Sequence, residues 1–376
     1  MKNKYTPDIR FSGVTGIWEE HKLKDIAILN PKSVLPEQFE YVDLESVVGT
    51  DLISYRTEYR ESAPSRAQRL AKKGDIFYQT VRPYQKNNYL FNLPYDNYVF
   101  STGYAQMRPN VDSYFLFSKL QDEKFVSKVL DRCTGTSYPA INSNDLAQIE
   151  VRIPMLRKEQ SEIGKLFRQI DKTISLYQQE LITLNQTRQG FLQKMFPKEG
   201  EFVPEIRFPG FTGDWEQRTL EGILEVNSGK DYKHLQKGDI PVYGTGGYML
   251  SVNDKLSDED AIGIGRKGTI DNPQLLKAPF WTVDTLFYMT TKEKNDLLFC
   301  YSLAKKIQWK KYDESTGVPS LSKSSINKIS VSIPTPEEQL KIGNFFKQLD
   351  ETIAFHQREL DSLKETKKAF LQKMFV

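Results

Sequence analysis

The chain has few of the residues that form covalent or metal frameworks. Its 376 residues include only two cysteines and three histidines. Cys133 and Cys300 lie far apart in the sequence, and the histidines are scattered, so no zinc-ligand spacing is present. The sequence therefore predicts neither a disulfide framework nor a metal site.

Long hydrophobic runs are also missing. No uninterrupted apolar stretch approaches the roughly 20 residues that a helix needs to cross a bilayer. The opening residues, MKNKYTPDIRFSG, lack the apolar segment of a signal peptide. We therefore expect a soluble cytoplasmic protein with no membrane partner.

Net charge is small, at +3, but the basic residues are unevenly spread. Residues 56–86 hold eight basic side chains against three acidic ones, and residues 305–328 hold six against two. Charge alone leaves two interpretations open, a solvated surface and a surface that binds nucleic acid.

The most informative feature that the sequence does contain is an internal repeat. Residues 7–19 read PDIRFSGVTGIWE and residues 204–216 read PEIRFPGFTGDWE, while GFLQKMF at 190–196 returns as AFLQKMF at 369–375. The first pair is offset by 197 residues and the second by 179, and these offsets together equal the chain length of 376. A unit this long is a whole domain with a connector, since solenoid repeats are about 20 to 50 residues. Val376 then aligns with Pro197 and Met1 with Lys198, which predicts that the two chain ends are neighbours.

Each connector shows the alternating 4-and-3 spacing of a coiled-coil seam. The seam predicts two helices of about 40 residues, each about 60 Å long. The proposed helix-pairing residues of the first helix are Ile163, Phe167, Ile170, Ile174, Leu181 and Leu184. Those of the second helix are Ile342, Phe346, Leu349, Ile353, Leu360 and Leu363.

An exposed seam of this length needs a partner, because helix propensity alone cannot hold so long an isolated helix. Pairing of the two helices within one chain must be antiparallel, whereas self-association through four helices is the competing arrangement. Both seams are interrupted by a cation, Arg188 and Lys367, that either extends outward or marks a docking point for another subunit. Thr335 is the expected cap of the second helix, with Glu338 completing a capping box.

The remaining segments contain short strand-like runs at 75–79, 98–100, 261–264 and 280–283, separated by turn residues. A basic, turn-rich loop follows the equivalent run in each copy. Arg and Lys pair with guanine or phosphate and Asn pairs with adenine, so these loops are candidate DNA contacts. The candidate DNA-binding residues are Arg82, Lys86, Asn87, Lys230, Thr245, Arg266 and Lys267.

No set of catalytic residues repeats between the copies. The run from Gly263 to Gly268 formally matches a dinucleotide fingerprint, but a proline at 273 follows where a helix would be needed. Two alternatives to a DNA-reading protein remain at this stage. One is a self-contained DNA methyltransferase, and the other is a scaffold whose helices separate two protein-binding modules.

Two variable domains that alternate with two near-identical helices resemble the specificity subunit of type I restriction–modification enzymes. The most specific residues are the twin tails, which share Ile-Gly at 163–164 and 342–343 and end in Phe-Leu-Gln-Lys-Met-Phe. The Thr-Gly pairs at 134–135 and 316–317, each followed by a proline, support the match.

The resemblance implies a non-catalytic subunit that reads a bipartite, asymmetric sequence in double-stranded DNA. It also implies modification (methyltransferase) and restriction (translocase and nuclease) subunits as partners. S-adenosylmethionine, ATP and magnesium would then be bound by those partners, and no cofactor by this chain.

The expected fold class is α+β, with two pseudo-twofold-related, strand-rich target-recognition domains separated by two long helices that pair as an antiparallel coiled coil. Target-recognition domain 1 is placed at residues 1–154 and the first helix at 155–196. Target-recognition domain 2 is placed at 197–334 and the second helix at 335–376.

Overall fold

A computed structural model describes residues 6–135 and 137–376. The chain divides into two compact units. Unit 1 comprises residues 1–178 and 359–376, and unit 2 comprises residues 179–358. Each unit therefore contains one strand-rich domain, part of the first long helix and part of the second.

The strands and helices of unit 1 are short, apart from the helix that leaves it. Its strands are β1 Trp18–Lys22, β2 Ala27–Leu29, β3 Gln38–Val42, β4 Val47–Val48, β5 Asp51–Leu52, β6 Arg56–Tyr59, β7 Ala67–Leu70, β8 Ile76–Gln79, β9 Tyr89–Leu90, β10 Tyr98–Ser101, β11 Tyr104–Pro109 and β12 Glu150–Pro154. Its helices are α1 Leu23–Ile26, α2 Ser113–Lys119, α3 Glu123–Leu130, α4 Ser143–Ala147 and the start of α5 Arg157–Lys194.

Unit 2 repeats this order with fewer strands. Its strands are β13 Glu216–Thr219, β14 Leu224–Ser228, β15 Lys237–Gly244, β16 Gly247–Val252, β17 Ala261–Gly265, β18 Gln274–Leu276, β19 Trp281–Thr282, β20 Leu286–Thr291 and β21 Ser330–Ile333. Its helices are α6 Leu220–Ile223, α7 Leu297–Lys306, α8 Lys323–Asn327 and most of α9 Pro336–Met374.

The two units share one sheet topology. The main sheet has the order β2-β11-β8-β9 in unit 1 and β14-β20-β17-β18 in unit 2. A second sheet is inserted at the same points of the chain, with the order β6-β3-β10-β7 in unit 1 and β16-β15-β19 in unit 2. All four predicted strand-like runs coincide with strands, namely β8, β10, β17 and β19, so the prediction of two strand-rich domains with long helices is confirmed.

Repeated aromatic residues form the centre of each core. In unit 1, Phe375 packs against Trp18 and Phe167, with ring centroids 6.2 and 5.5 Å away. In unit 2, Phe196 packs in the same way against Trp215 and Phe346, at 5.9 and 6.1 Å. Burial of each such ring stabilises the fold by roughly 1.5–3 kcal/mol. The repeated Phe-Leu-Gln-Lys-Met-Phe tail is thus a core segment of each unit.

The long helices run antiparallel within each unit. In unit 1, Phe167 contacts Phe375, and Asp171 contacts Lys367. The residue number increases along α5 while that of its partner decreases, so the two helices run in opposite directions. All twelve predicted seam residues are buried or half-buried, whereas most of the residues between them are exposed. The predicted antiparallel pairing is therefore the arrangement observed.

The two cations that interrupt the seams neither extend outward nor stay unpaired. Lys367 Nζ lies 2.6 Å from Asp171 Oδ1 in unit 1, and Arg188 binds Asp350 in unit 2. Asp171 and Asp350 occupy equivalent positions of the repeat, so each unit has one partly exposed cross-helix ion pair. The predicted outward extension was wrong because a carboxylate on the other helix lies within reach of each cation. The alternative, a docking point for another subunit, stays a prediction.

The predicted capping box is only half formed. The Glu338 amide donates to Thr335 Oγ1 at 3.5 Å, but the Glu338 carboxylate binds Arg207 instead of the cap. The Glu338 carboxylate accepts hydrogen bonds from Nε and Nη2 of Arg207, both at 2.7 Å, and is fully buried. Its partner Arg207 belongs to the motif that is repeated at residues 7–19 and 204–216, which we call the head motif. In unit 1, Arg10 binds Glu159 in the same two-pronged way, at 2.6 and 2.8 Å. We call each of these pairs the head clamp, because it fixes the segment before the domain to the first turn of a long helix.

Beside each clamp, the head segment hydrogen-bonds the end of the other helix. The amide of Ile9 donates to the Lys373 carbonyl at 3.0 Å, and the amide of Ile206 donates to the Lys194 carbonyl at 2.9 Å. The residues on either side of the predicted ring closure are therefore in contact in unit 1. Met1 itself lies outside the described residues.

Candidate nucleic-acid interface

The candidate loops lie at one edge of each main sheet, by which we mean the side where the carboxyl ends of alternate strands meet, not an outermost strand. In unit 1, β2 and β8 are both antiparallel to β11, so their carboxyl ends meet at the same edge. In unit 2, β14 and β17 are both antiparallel to β20 and share an edge in the same way. Residues 80–88, which we call loop 1, follow β8, and residues 266–272, which we call loop 2, follow β17. The fold thus places the two basic loops at equivalent positions of the two units.

Arg82 is held at the start of loop 1 by its backbone and by an aromatic ring. Its φ of 53° is left-handed, and its amide donates to the Pro139 carbonyl at 2.7 Å. The guanidinium stacks over the Tyr138 ring at 4.3 Å, which limits the rotamers that an exposed arginine would otherwise sample. Arg82 is therefore oriented before any ligand arrives.

Lys86 and Asn87 are both partly occupied by contacts within unit 1. Lys86 Nζ lies 2.5 Å from Glu123 Oε1 and donates to the Gln121 carbonyl at 3.1 Å. Asn87 Oδ1 accepts the amide of Gly49 at 2.8 Å, which leaves its NH₂ group as the part free to donate elsewhere. Contact of Lys86 with a phosphate would compete with its pair to Glu123.

Loop 2 carries cations with no such competitor. Arg266 and Lys267 are exposed and make no ion pair with any described residue. Together with Lys323 they line an open cavity of about 360 Å³, to which Glu314 contributes one carboxylate. Sequence reasoning missed Lys323, because it lies at the start of α8 and reaches loop 2 only through the fold. Of the two sheet edges, this one has the larger excess of unpaired positive charge.

The two other predicted residues of unit 2 differ in how far their side chains are available. Lys230 is exposed just beyond β14, and its backbone is fixed by hydrogen bonds to Thr282 and Trp281. Thr245 lies in the β15–β16 hairpin, where its carbonyl accepts a hydrogen bond from the Gln274 side chain at 3.0 Å. Gln274 pairs with Gly263, close to the end of β17, so residue 245 is held near the same end of the sheet.

The repeated Thr-Gly and proline motif packs against these loops. In unit 1, Ala140 pairs with both Thr134 and Val81. In unit 2, Ser320 pairs with Lys267, and the Gly268 amide donates to the Pro319 carbonyl at 2.9 Å. The motif leaves a large side chain exposed beside each loop, Tyr138 at 64% and Val318 at 67%. Tyr138 is a second residue that sequence reasoning missed.

Within residues 6–135 and 137–376, no group of three or more His, Cys, Asp or Glu side chains could hold a metal ion. No helix in this part of the chain is long and apolar enough to span a membrane.

The chain matches a model of the type I restriction modification DNA specificity domain twice, over residues 17–186 and 212–365. The two matches follow the internal repeat and cover most of the sequence. The chain belongs to this family. As a member of the type I specificity family, it takes part in DNA target recognition and in complex assembly.

Two relatives of the chain are specificity subunits of type I restriction enzymes. The specificity subunit of the type I restriction enzyme MjaVIII from Methanocaldococcus jannaschii is 22% identical over 298 residues, which cover 69% of this chain and 68% of the relative. The specificity subunit of the HindI enzyme from Haemophilus influenzae is 26% identical over 202 residues, which cover 48% of this chain and 40% of the relative.

Solved structures of the family share the fold. The crystal structure of a type I S subunit from M. genitalium matches with a TM-score of 0.73 and 19% identity, covering 99% of both chains. A chain from a study of assembly and conformational transition in a type I system matches with a TM-score of 0.54 and 19% identity, covering 95% of this chain and 97% of the other. At this identity the likeness shows the fold alone.

In this member of the type I specificity family, the helices expose an apolar side chain at the same place in each copy. Leu176 on α5 is 49% exposed and Phe355 on α9 is 50% exposed, and the two residues are 179 positions apart. Neither belongs to the pairing seam, so helix pairing does not account for them. Single exposed apolar side chains are common on protein surfaces, so the feature that distinguishes this pair is its recurrence at equivalent positions of the repeat.

Proposed function

We propose that this chain is the non-catalytic, DNA-reading subunit of a type I restriction–modification enzyme and that it reads a bipartite, asymmetric target. The main support is the repeated placement of loops 1 and 2 at the same edge of two homologous sheets. Loop 1 presents Arg82 and Asn87, whereas loop 2 presents Arg266 and Lys267. Because the two loops carry different side chains, each would read a different half of the target.

The long helices would set the spacing between the two halves and would dock the partner subunits. Support for the spacing role is that α5 and α9 run for 38 and 39 residues without a break. Support for docking is the twin exposed pair of Leu176 and Phe355, which offers equivalent sites to two copies of one partner. Those partners would be modification subunits, with restriction subunits added to the complex.

Catalysis and cofactors would belong to the partners. Methyl transfer would use S-adenosylmethionine on the modification subunits, and cleavage would use ATP and magnesium on the restriction subunits. The chain would act in the cytoplasm, where a bacterial or archaeal chromosome is accessible.

Methylation mapping tests this proposal directly. Cells that express the cognate modification subunits should acquire methylation at one asymmetric, interrupted sequence when this chain is present, and at none when it is absent. Methyl transfer by the isolated chain would instead favour a self-contained methyltransferase. A purified complex whose DNA binding does not fall with salt would favour a protein scaffold, because phosphate contacts release counterions.

A further inference from the structure

Unit 1 contains a cleft that the sheet-edge loops do not account for. Two adjoining cavities of about 760 and 270 Å³ lie between the β4–β5 hairpin, the α2–α3 junction and the helices α5 and α9. They share four lining residues, Lys86, Gln121, Lys364 and Lys367. We call the two cavities together the helix cleft.

Among the described residues, the helix cleft has more unpaired cations than unpaired carboxylates. Its walls include Arg168, Lys172, Lys364 and Lys368. None of these four forms an ion pair with a described residue, whereas the other two lining lysines are paired with Glu123 and Asp171. Asp51 is the lining carboxylate without an ion pair among the described residues, so positive charge prevails in the cleft.

A buried hydrogen-bond donor also lacks an acceptor there. Gln121 is only 6% exposed and contributes to the walls of both cavities. Its Nε2 atom is buried and has no hydrogen-bond partner among the described residues. A buried, unsatisfied donor costs about 1–3 kcal/mol, which an incoming acceptor would recover. An amide donor beside unpaired lysines is chemistry that suits an oxyanion.

The equivalent surface of unit 2 lacks this charge. The positions matching Arg168 and Lys172 are Lys347 and Glu351, whose charged groups lie 3.8 Å from each other. Those matching Lys364 and Lys368 are the neutral residues Asn185 and Gln189. Since both copies pair their helices in the same way, helix packing does not require the four cations of unit 1.

We propose that the helix cleft binds a phosphate group and that its source is the backbone of DNA held at loop 1. This assignment rests on the proposed function. Loop 1 and the cleft are continuous, because Lys86 belongs to both and the Asn87 side chain binds Gly49 on the cleft wall at 2.8 Å. Lys364 and Lys368 contact the phosphate with their ammonium groups, and Gln121 donates to it through Nε2. The contact adds affinity on one side of the target without reading a base.

The first test replaces Lys364 and Lys368 by Gln in the full chain bound to its modification subunits. Each phosphate contact that is lost should lower the slope of log affinity against log salt by about 0.9. The control is Lys373→Gln, which removes one positive charge from the opposite face of α9, nine residues or two and a half turns from Lys364. The control should leave the slope unchanged.

The second test is Gln121→Leu, which separates a binding role from a structural one. Removal of an unsatisfied buried donor should leave the melting temperature of the free chain unchanged or higher. DNA binding should nevertheless weaken by several-fold. A fall in melting temperature with unaltered DNA binding would show that Gln121 is only a packing residue and would overturn its part in the site.

The source of the phosphate is decided with pyrophosphate as a probe at constant ionic strength. A bound anion should raise the melting temperature of the wild-type chain and not that of Lys364→Gln/Lys368→Gln. If pyrophosphate stabilises the chain but the salt slope is the same in both proteins, the site takes a free phosphate compound and the DNA assignment is wrong. If neither measurement responds, the proposal is overturned. If the wild-type complex shows no salt-dependent DNA binding, the proposed function is refuted. The pyrophosphate measurement would still decide whether the cleft binds an anion.

Discussion

At the scale of single residues, the charged side chains fall into two groups. One group is committed to internal pairs, such as Arg10 with Glu159 and Lys86 with Glu123. The other group is exposed and unpaired among the described residues, such as Arg266 and Lys267. The sequence shows both groups as positive charge, because the acidic partner of a paired cation is often distant in the chain. The sequence makes Lys86 and Arg266 equally good candidates, but among the described residues only Lys86 has an acidic partner, whereas Arg266 lies over the Phe287 ring.

Replacement of Arg266 and Lys267 by Ala should weaken DNA binding by the assembled complex. We expect a loss of about 1–3 kcal/mol if either residue makes a two-pronged base contact. If both contact phosphate, the salt slope should fall instead. Fluorescence anisotropy at several salt concentrations distinguishes these outcomes. Lys294→Ala is a control that removes one positive charge at the opposite edge of the sheet, because Lys294 follows β20. Wild-type behaviour of the double variant would remove loop 2 from the site.

Cys300 should be unreactive in the native chain. Burial raises the pKa of this thiol from 9.0 to about 12, so at pH 8 it is neutral as well as inaccessible. Because the folded-state pKa is the higher one, this thiol contributes stability that is fully present below pH 9 and is lost as the pH rises towards 12. Alkylation with iodoacetamide at pH 8 should label Cys300 only when urea unfolds unit 2. Rapid labelling of the native chain would contradict its placement in the core.

At the scale of elements, the seam was predictable because helical periodicity is a local property of the sequence. The head clamps were not, because Arg207 and Glu338 are 131 residues apart and Arg10 and Glu159 are 149 apart. Two strands of the inserted sheets, β10 and β19, were predicted, but their pairing into separate sheets was missed for the same reason. The sheets depend on parallel pairs such as β3 with β10, which join distant segments and have no local sequence signal.

The clamp of unit 2 should matter for stability. Arg207→Met leaves the fully buried carboxylate of Glu338 without its partner, and such a change costs about 3–5 kcal/mol. The double variant Arg207→Met/Glu338→Met removes both charges and should recover much of that loss. Urea midpoints followed by tryptophan fluorescence measure both effects. Equal destabilisation by the single and double variants would show that the ion pair is not the cause.

The helices should determine the interval between the two half-sites. Deletion of residues 181–184 from α5 and 360–363 from α9 removes about one turn, or roughly 6 Å, from each helix while keeping the seam nearly in register. The interval in the methylated sequence should then shorten. Methylation mapping of cells that carry the deletion reads this out, and an unchanged interval would refute the spacing role.

At the scale of the whole molecule, the repeat predicts that the chain could begin at either of its two equivalent junctions and still form the same fold. The junction between the first helix and the second head, near Pro197, corresponds to the region where Lys373 meets Ile9. A circular permutant that begins at Lys198 and joins Val376 to Met1 by a short linker should therefore fold and direct methylation to the same sequence. Circular dichroism and methylation mapping test this. A permutant that stays unfolded with linkers of up to about nine residues, a reach of about 30 Å, would contradict the closed repeat.

The position of Phe375 has a consequence for how the protein is made. Domains usually fold in the order in which they leave the ribosome. Unit 1 is the first to emerge, but its core includes Met374 and Phe375, each only 2% exposed, from the far end of the chain. Unit 2 is formed by one continuous segment, residues 179–358, so its folding does not depend on a later part of the chain. During synthesis the first domain to appear is therefore the last to be completed, and until then the apolar surface that receives Phe375 is open to chaperones and to neighbouring nascent chains.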